Sequence, residues 1–416
     1  GIGVRVLLDG AWGFACTNRT KKDDILGCVD EALSMAGALV GKMTERGVVL
    51  EVDPVEDRTE LKAPRPPASV PLDEKLKKAS QLEEVARKRD SRVANTFLTY
   101  HDVSSRTLLM NTFGTVVETA APRTIVALRV VASENGIRQR FFDIVGRRAG
   151  FEVAEALDPE NFSTQAADRA VRLLGASAPP SGKFPVIFDP SIAGLLVHEA
   201  FGHNSEADHV WSGESIIAGK MGEQIASPLV TIVDDPTLEG AWGSYDYDAE
   251  GVPARPKVLV KNGVLTGLLH SLETAARMDA EPNGSARAES HQFRPVVRMS
   301  NTYFKQGKSK LEDMIGEIEY GVLVGRSIGG YVATEKGQFT CHAGESWLIR
   351  NGEKAELLRD VAVSGLTLEA LRNIDAVSSD FTLSMPGTCG KLGQGVPVDD
   401  GGPYMRLREL VVGGTG

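Results

Sequence analysis

The chain has 416 residues, of which 42% are hydrophobic and 25% are charged, and its formal net charge is −10. These values are typical of a soluble globular protein of two or three domains. The acidic balance argues against nucleic acid as a direct partner, because phosphate binding needs a basic surface. No apolar run approaches the roughly 20 residues that a membrane helix needs, so we expect no membrane contact either.

The cysteine content bears on the compartment. Four cysteines, at positions 16, 28, 341 and 389, are too few and too scattered for a disulfide scaffold. Free or metal-bound thiols fit a reducing compartment, and no signal peptide is visible, so we predict a cytoplasmic protein. The chain begins at Gly1 inside a strand-like stretch, without an initiator Met. We therefore expect that a segment precedes it, which leaves a targeting signal open.

Residues 1–175 are predicted to form an N-terminal α+β domain built on an antiparallel sheet with helices. Asp9-Gly10 predicts a tight hairpin between two short strands. Helices are predicted from Asp23 onward, over Pro71–Asp90 and over residues 163–175. A β-like stretch lies between the last two helices. It divides into four predicted strands: Thr96–Tyr100, Thr107–Asn111, Thr115–Thr119 and Thr124–Val131.

A stretch rich in Pro, Ser and Gly at residues 175–183 is typical of a linker. Residues 184–416 are predicted to form a larger, β-rich C-terminal domain that also carries the candidate metal-site helix. Within it, Asn262-Gly263 and Asn351-Gly352 each interrupt a strand-like run, which is a strong hairpin signal. The predicted fold class of the whole chain is therefore α+β.

The segment from His198 to His203 contains two imidazoles and, at Glu199, a carboxylate. Neutral imidazole is the commonest protein ligand of zinc, and a carboxylate beside a metal-bound water can act as a general base. The spacing is HExxxH, so the two histidines lie about 140° apart on an ideal α-helix. A π-type turn, or a helix that loosens between the two histidines, would aim both at one ion, and Gly202 would tolerate that distortion. The alternative is a pair of helix-end histidines beside a solvated glutamate.

A catalytic zinc site normally has three protein ligands and one water, so the two histidines need a third partner. The nearby candidates are Glu206, Asp208 and His209, and the distant ones are Cys389, Cys341 and His342. Thiolates bind zinc well and the chain has few of them, which favours cysteine. Cys389 lies in a glycine-rich segment, which favours a functional thiol over an incidental core residue.

Three further groups of polar residues were weighed as site candidates. Arg298 and Asn301 lie in a strand-like stretch and are predicted to bind substrate, although a structural hydrogen-bonding role fits equally well. The acidic cluster Asp246, Asp248 and Glu250 is interpreted as a loop first and a site second. Isolated histidines, His270 among them, are interpreted as structural. No nucleophile elbow, P-loop or dinucleotide fingerprint is present.

Several motifs together resemble those of the TldD/PmbA family of metalloproteases. They are the HExxxH segment, an Asp248-x-Glu250-Gly-Val-Pro segment, Arg298-Met-Ser-Asn-Thr-Tyr303 and a late Gly-Thr-Cys389-Gly-Lys-x-Gly-Gln394 segment. The resemblance extends over nearly the whole chain, and the combination is far more specific than HExxxH alone. Because the metal motif is complete, the chain resembles the TldD-like branch rather than the PmbA (TldE) branch, which lacks it.

The resemblance implies a two-domain α+β protein that binds zinc through His198, His203 and Cys389, with Glu199 as the general base. It implies cleavage of unfolded or leader peptides and a dimer, formed either with an identical chain or with a PmbA/TldE-like subunit. Older family names refer to DNA gyrase modulation, which the acidic charge makes indirect. Two other functions stay open: a non-catalytic dimer partner or scaffold with a structural metal, and a zinc hydrolase of a non-peptide substrate.

Overall fold

The computed structural model of the protein describes residues 1–383 and 385–414. Helices and strands are mixed throughout, and strands predominate in the C-terminal part, which confirms the predicted α+β class. The boundary between domains at residues 175–184 stays a prediction.

The N-terminal segment is a hairpin covered by one helix. Its elements are β1 (Ile2–Leu8), β2 (Ala11–Thr17) and α1 (Lys22–Leu39). Asp9 and Gly10 both have positive φ, 49° and 86°, as a two-residue hairpin turn requires, so the predicted hairpin is confirmed. The helix lies so close to β2 that a Cβ at Gly13 would overlap the carbonyl of Ala32. Small side chains therefore form its buried face.

The middle segment is a four-stranded sheet with helices packed against it. Its elements are β3 (Glu56–Glu60), α2 (Leu72–Lys88), β4 (Val93–Met110), β5 (Val116–Glu134), β6 (Ile137–Arg147), α3 (Glu152–Glu155) and α4 (Pro159–Leu173). Strands β4, β5 and β6 are antiparallel, whereas β3 pairs with β5 in parallel. Its core lies between the sheet and the two long helices α2 and α4.

The prediction of four separate strands in this segment was wrong. The structure joins them into two long strands, β4 and β5, which pair along their length with one register shift between Val93 and Asn95. The sequence looks broken near Pro122, because proline cannot donate a backbone hydrogen bond. Pro122 falls after the residues of β5 that pair with β3 and before those that pair with β6, so only β4 lies alongside it there. The strand can therefore continue through the proline.

The C-terminal segment holds most of the strands. They are β7 (Gly182–Phe188), β8 (Ile232–Asp234), β9 (Lys257–Lys261), β10 (Val264–Leu265), β11 (Ala286–Arg287), β12 (Val296–Val297), β13 (Asn301–Phe304), β14 (Tyr320–Val324), β15 (Ser327–Ala333), β16 (Gln338–Ala343), β17 (Ser346–Arg350), β18 (Glu353–Leu358), β19 (Val361–Leu366), β20 (Ile374–Val377), β21 (Thr382–Leu383), β22 (Gly387–Lys391), β23 (Gln394–Gly402) and β24 (Met405–Gly414). The helices are α5 (Pro190–Leu195), α6 (Ala207–Ser212), α7 (Leu272–Met278), α8 (Leu311–Gly316) and α9 (Thr367–Asn373).

Most of these strands form two large sheets that enclose one short helical segment, and β11 and β12 form a separate pair. One sheet has the order β15-β16-β19-β24-β7-β14-β17-β18, with β20 attached to β24. The other has the order β10-β9-β8-β13-β23-β21, with β22 attached to β23. Both predicted Asn-Gly hairpins are confirmed, as β9–β10 and β17–β18. Helix α5 contributes Ile192 to a core that also contains Phe188 of the first sheet and Ile232 of the second. The candidate metal-site helix is therefore held between the two sheets.

Candidate metal centre

The helix that carries the HExxxH segment changes its winding at the motif. Asp189 caps α5, since its Oδ1 accepts the backbone N–H groups of Ser191 and Ile192 at 3.0 and 2.9 Å. After α5 the chain continues as a π-helix over Leu196–Gly202, and the N–H of His203 donates to the carbonyl of His198, five residues earlier. The two imidazole rings thereby come within 5.3 Å of each other, centroid to centroid. The distortion that HExxxH spacing demands is present.

Gly202 has a different role from the expected one. Its φ of −58° is ordinary helical geometry, so no unusual backbone conformation requires glycine there. A Cβ at this position would instead overlap Sδ of Met299. Gly202 is therefore needed because the π-helix packs tightly against the segment that contains Met299.

The thiol of Cys389 completes a group of three ligand atoms. Cys389 lies on β22, opposite Val396 of β23, and its Sγ is 3.5 Å from Nε2 of His203. Ligand atoms of His198, His203 and Cys389 all lie within 4.8 Å of one another. Two ligands of a tetrahedral zinc ion, one sulfur and one nitrogen, would be about 3.6 Å apart. Nδ1 of His198 is buried and has no hydrogen-bond partner among the described residues. The donor set and its spacing therefore fit zinc.

The nearby alternatives for the third ligand lie on the other side of the His203 ring. Glu206, Asp208 and His209 form a second close group, and Glu206 Oε2 is 3.2 Å from Nδ1 of His203, the nitrogen opposite the one that faces Cys389. This second group already contains a cation, because Nζ of Lys391 lies 3.0 Å from Glu206 and 2.8 Å from Asp208. The geometry therefore favours Cys389 over these three.

The distant alternatives are not grouped with the two histidines among the residues that the structure describes. Cys341 is buried, and burial together with the neighbouring Glu199 charge raises the pKa of its thiol to about 12. A thiol held neutral is a poor metal ligand. His342 follows Cys341 on β16, and its Nδ1 is buried without a partner in the described chain.

The pKa values of His198, His203 and Cys389 are strongly shifted from their usual values. Burial opposes ionisation of the Cys389 thiol, but His198 and His203 outweigh it and lower its pKa to about 4. Burial would also lower the pKa of His198, yet Cys389 and Glu199 raise it to about 9. The pKa of His203 is raised well above its usual value by Glu206 and Cys389, again against burial. Sulfur is therefore held as a thiolate, and a metal cation would take the place of imidazole protons.

Glu199 is the residue next to His198 on the π-helix and is half-buried. Its charge contributes to the pKa shifts of His198, Cys341 and Asp400, so it acts electrostatically on one of the three candidate ligands. Its role as a general base stays a prediction.

Arg298 and Asn301 are both completely buried. The Arg298 guanidinium donates to the carbonyl of Cys389 and, at 3.3 Å, to that of Gln394. The Asn301 amide donates to the carbonyl of Asp235 at 2.6 Å and accepts the N–H of Gly243 at 2.9 Å. A substrate-binding role for either residue stays a prediction. The Arg298 contacts favour support of the strand that carries Cys389, whereas the Asn301 contacts join β13 to the segments at Asp235 and Gly243.

Two polar residues close to the site were missed by sequence reasoning. Lys391 follows Cys389 by two positions, and the period of a strand places such residues on the same side, which was the available signal. Asp400 on β23 is buried, its Oδ1 has no hydrogen-bond partner in the described chain, and a Cβ at Gly194 would overlap it. Burial raises its pKa to about 8, with His198 opposing. Nothing local in the sequence links Asp400 to the helix beneath which it lies.

Comparison with known proteins identifies the family of the chain. Three profiles of one family match consecutive parts of the chain: the PmbA/TldA metallopeptidase domain 1 at residues 1–36, the central domain at 65–174 and the C-terminal domain at 181–414. The chain belongs to the TldD/PmbA family.

Relatives within the TldD/PmbA family cover this chain from end to end. A protein of Methanothermobacter thermautotrophicus named metalloprotease is 44% identical over 100% of this chain and 89% of its own length. A Haemophilus influenzae protein named metalloprotease TldD homolog is 32% identical over 100% of this chain and 87% of its own length. The crystal structure of a Thermotoga maritima protein, described as a candidate modulator of a DNA gyrase, is 26% identical with a TM-score of 0.79, over 99% of this chain and 88% of that one.

No helix in the described part of the chain is long and apolar enough to cross a membrane.

Proposed function

We propose that this TldD/PmbA family member is a zinc-dependent peptidase of the TldD-like branch that cleaves unfolded or leader peptides. The observation that carries the proposal is the grouping of His198, His203 and Cys389 within 4.8 Å, beside Glu199 on the same helix. Two imidazoles and a thiolate make a three-ligand set that leaves one position for water. A structural zinc would instead use four protein ligands, so the set favours catalysis over a scaffold with a structural metal.

Each residue of the site has one task in this reaction. His198 and His203 would bind zinc as neutral imidazoles, and Cys389 would bind it as a thiolate. When bound, zinc supplies a Lewis acid that polarises the peptide carbonyl and acidifies a water. Glu199 would accept a proton from the attacking water and deliver it to the leaving amine.

An extended peptide can reach the site along a free sheet edge. β15 stands at the end of its sheet order, and a Cβ at its Gly330 would be 2.9 Å from the Leu195 side chain of α5. The edge strand therefore runs against the helix that leads into the metal centre. Unpaired backbone groups of an edge strand bind an extended peptide irrespective of its side chains, which suits unfolded or leader peptides.

The assembly and location that go with this function are part of the same proposal. The protein would act in the cytoplasm as a dimer, with an identical chain or with a PmbA/TldE-like subunit. Native mass spectrometry of the purified chain, alone and mixed with such a subunit, decides between the two dimers.

Glu199→Gln is the decisive test of the proposed reaction. The variant keeps the side-chain volume but cannot accept the water proton, so we expect normal zinc content and cleavage slower by about 10²–10⁴-fold. Zinc is measured by elemental mass spectrometry, and cleavage of a mixture of unstructured peptides by liquid chromatography with mass spectrometry. Glu223→Gln is the control, since Glu223 is largely exposed and pairs with Lys220.

The outcomes separate the proposed peptidase from its rivals. Full activity of Glu199→Gln would remove Glu199 as the base. A zinc-loaded wild type that cleaves none of the peptides would favour the scaffold or a non-peptide hydrolase over the peptidase.

A further inference from the structure

Glu206 is the buried carboxylate that faces the second metal-binding histidine. Its side chain is 0% exposed, and its Oε2 lies 3.2 Å from Nδ1 of His203. Nε2 of the same ring faces Cys389 at 3.5 Å. Glu206 and Cys389 therefore contact different nitrogens, on opposite sides of the imidazole ring. A neutral His203 ring that donates its Nδ1–H to Glu206 has its lone pair on Nε2, on the side of the Cys389 thiol.

Lys391 supplies the positive charge that a buried carboxylate needs. Its side chain is 7% exposed, and its Nζ lies 3.0 Å from Glu206 Oε2 and 2.8 Å from the Asp208 carboxylate. It also donates to the carbonyl of Val297 at 3.2 Å, so the three ammonium hydrogens have three acceptors. A buried ammonium is tolerated only when it is paired in this way.

The position of Lys391 in the chain links this pair to the third ligand. Lys391 and Cys389 lie two residues apart on β22, so both side chains point to the same side of the strand. Strand β22 therefore contacts the segment after the π-helix at two points. The Cys389 thiol contacts His203, and the Lys391 ammonium pairs with Glu206. The same contact fills the acidic group of Glu206, Asp208 and His209 with an ammonium instead of a second metal ion.

We infer that Glu206 and Lys391 are positioning residues for the metal centre. Glu206 orients the His203 ring so that Nε2 faces the metal, and Lys391 pairs with Glu206 and so fastens the strand of Cys389 to the segment that carries His203. Carboxylates hydrogen-bonded to metal-binding histidines have this effect in zinc sites generally. The inference rests on the proposed function, because it assigns zinc to His203.

The test compares zinc affinities, measured by competition with a chromophoric chelator, in four proteins. Glu206→Gln keeps the side-chain shape but removes the charge, and the double variant Glu206→Gln/Lys391→Met removes both charges, so that no unpaired ion stays buried. Asp208→Asn is the matched control, because Asp208 pairs with Lys391 rather than with His203. We expect zinc affinity to fall by about 10–100-fold in the first two variants and to stay within about threefold of the wild type in the control.

Two further readouts distinguish positioning from a general loss of structure. The visible absorption spectrum of the cobalt-substituted protein should change in Glu206→Gln and in the double variant, and side-chain NMR should show the His203 Nδ1–H signal of the zinc-loaded wild type altered in both. Far-ultraviolet circular dichroism verifies that each variant is folded.

Each result counts for or against the inference. Wild-type zinc affinity in a folded double variant would overturn it while leaving the proposed function intact. An equal loss in Asp208→Asn would also overturn it, since that would make the effect one of local charge only. A wild type that binds no zinc would overturn the proposed function, and this inference with it.

Discussion

Two regions of the C-terminal segment each bury a histidine and a carboxylate, yet they arrange them in opposite ways. In one region Asp248 accepts the backbone N–H groups of Glu250, Val252 and Ala286 at 2.9, 2.9 and 3.0 Å. The histidine of that region is His270, whose Nδ1 lies 3.3 Å from the Thr274 hydroxyl. Backbone amides and a hydroxyl therefore satisfy these groups, and the region is a braced loop, as the sequence suggested for the acidic cluster.

At the metal centre the buried polar groups face one another instead. Glu206 faces an imidazole and an ammonium, and His198 faces a thiolate while its Nδ1 has no partner in the described chain. Burial alone lowers the pKa of His270 to about 4, whereas Cys389 and Glu199 overcome burial and raise that of His198 to about 9. Burial is common to both regions. The two regions differ in the groups next to the buried ones. Backbone amides and a hydroxyl stabilise the loop of the first region, whereas ionisable side chains that could bind a cation surround His198 and His203 in the second.

The largest effect expected from this contrast is at Cys389. Cys389→Ala removes one of the three proposed protein ligands, so zinc affinity should fall by more than the roughly 10–100-fold that loss of an outer partner causes. Cys341→Ala is the matched control, because that thiol is equally buried but its pKa is raised to about 12. In both variants zinc content is measured by elemental mass spectrometry, and zinc affinity is measured by competition with a chelator. Equal losses of zinc affinity in the two variants would contradict the assignment of Cys389, rather than Cys341, as the third ligand.

A smaller effect is expected from Asp248→Asn, and it should fall on stability instead of zinc. Burial and Glu250 raise the pKa of Asp248 to about 7, so at pH 8 the carboxylate is charged and accepts three N–H groups. An asparagine amide would turn a donor toward one of them, which costs about 1–3 kcal/mol. The urea midpoint at pH 8 should decrease while zinc affinity stays at the wild-type value. A loss of zinc affinity as large as that expected for Glu206→Gln would erase the distinction between the two regions.

Much of the site could be predicted because its chemistry is local in the sequence. His198, Glu199 and His203 lie close together on a distorted helix. Their spacing predicted a π-type turn or a loosened helix if both histidines bind one ion, and the structure has the π-type turn. The choice of third ligand could not be made from spacing, since Cys389 lies 186 residues from His203. The pairing of β22 with β23 places Cys389 beside His203. The residues near the HExxxH motif give no indication of such long-range pairing.

The fold shows the same division between local and distant information. The hairpin turns were predictable because Asp-Gly and Asn-Gly suit positive φ angles directly. The lengths of β4 and β5 were not, because Pro122 is tolerated only on account of where β3 and β6 begin and end. Glu206 and Lys391 show it too: each is an ordinary charged residue until the fold places them 3.0 Å apart.

The smallest expected effect concerns the pH dependence of stability at His270. The folded-state pKa is about 4 and the unfolded value is about 6.5. Below pH 6.5 the unfolded chain therefore binds a proton that the folded protein excludes, and stability falls as the pH decreases. Between pH 7.5 and 5.5 this should amount to about 1 kcal/mol, and His270→Gln should remove that part of the slope of urea midpoint against pH. His101→Gln, at an exposed histidine, should keep the full slope. If His270→Gln and the wild type gave parallel curves, the imidazole of His270 would have to be stabilised in its charged form by its surroundings, and burial would no longer separate it from His198.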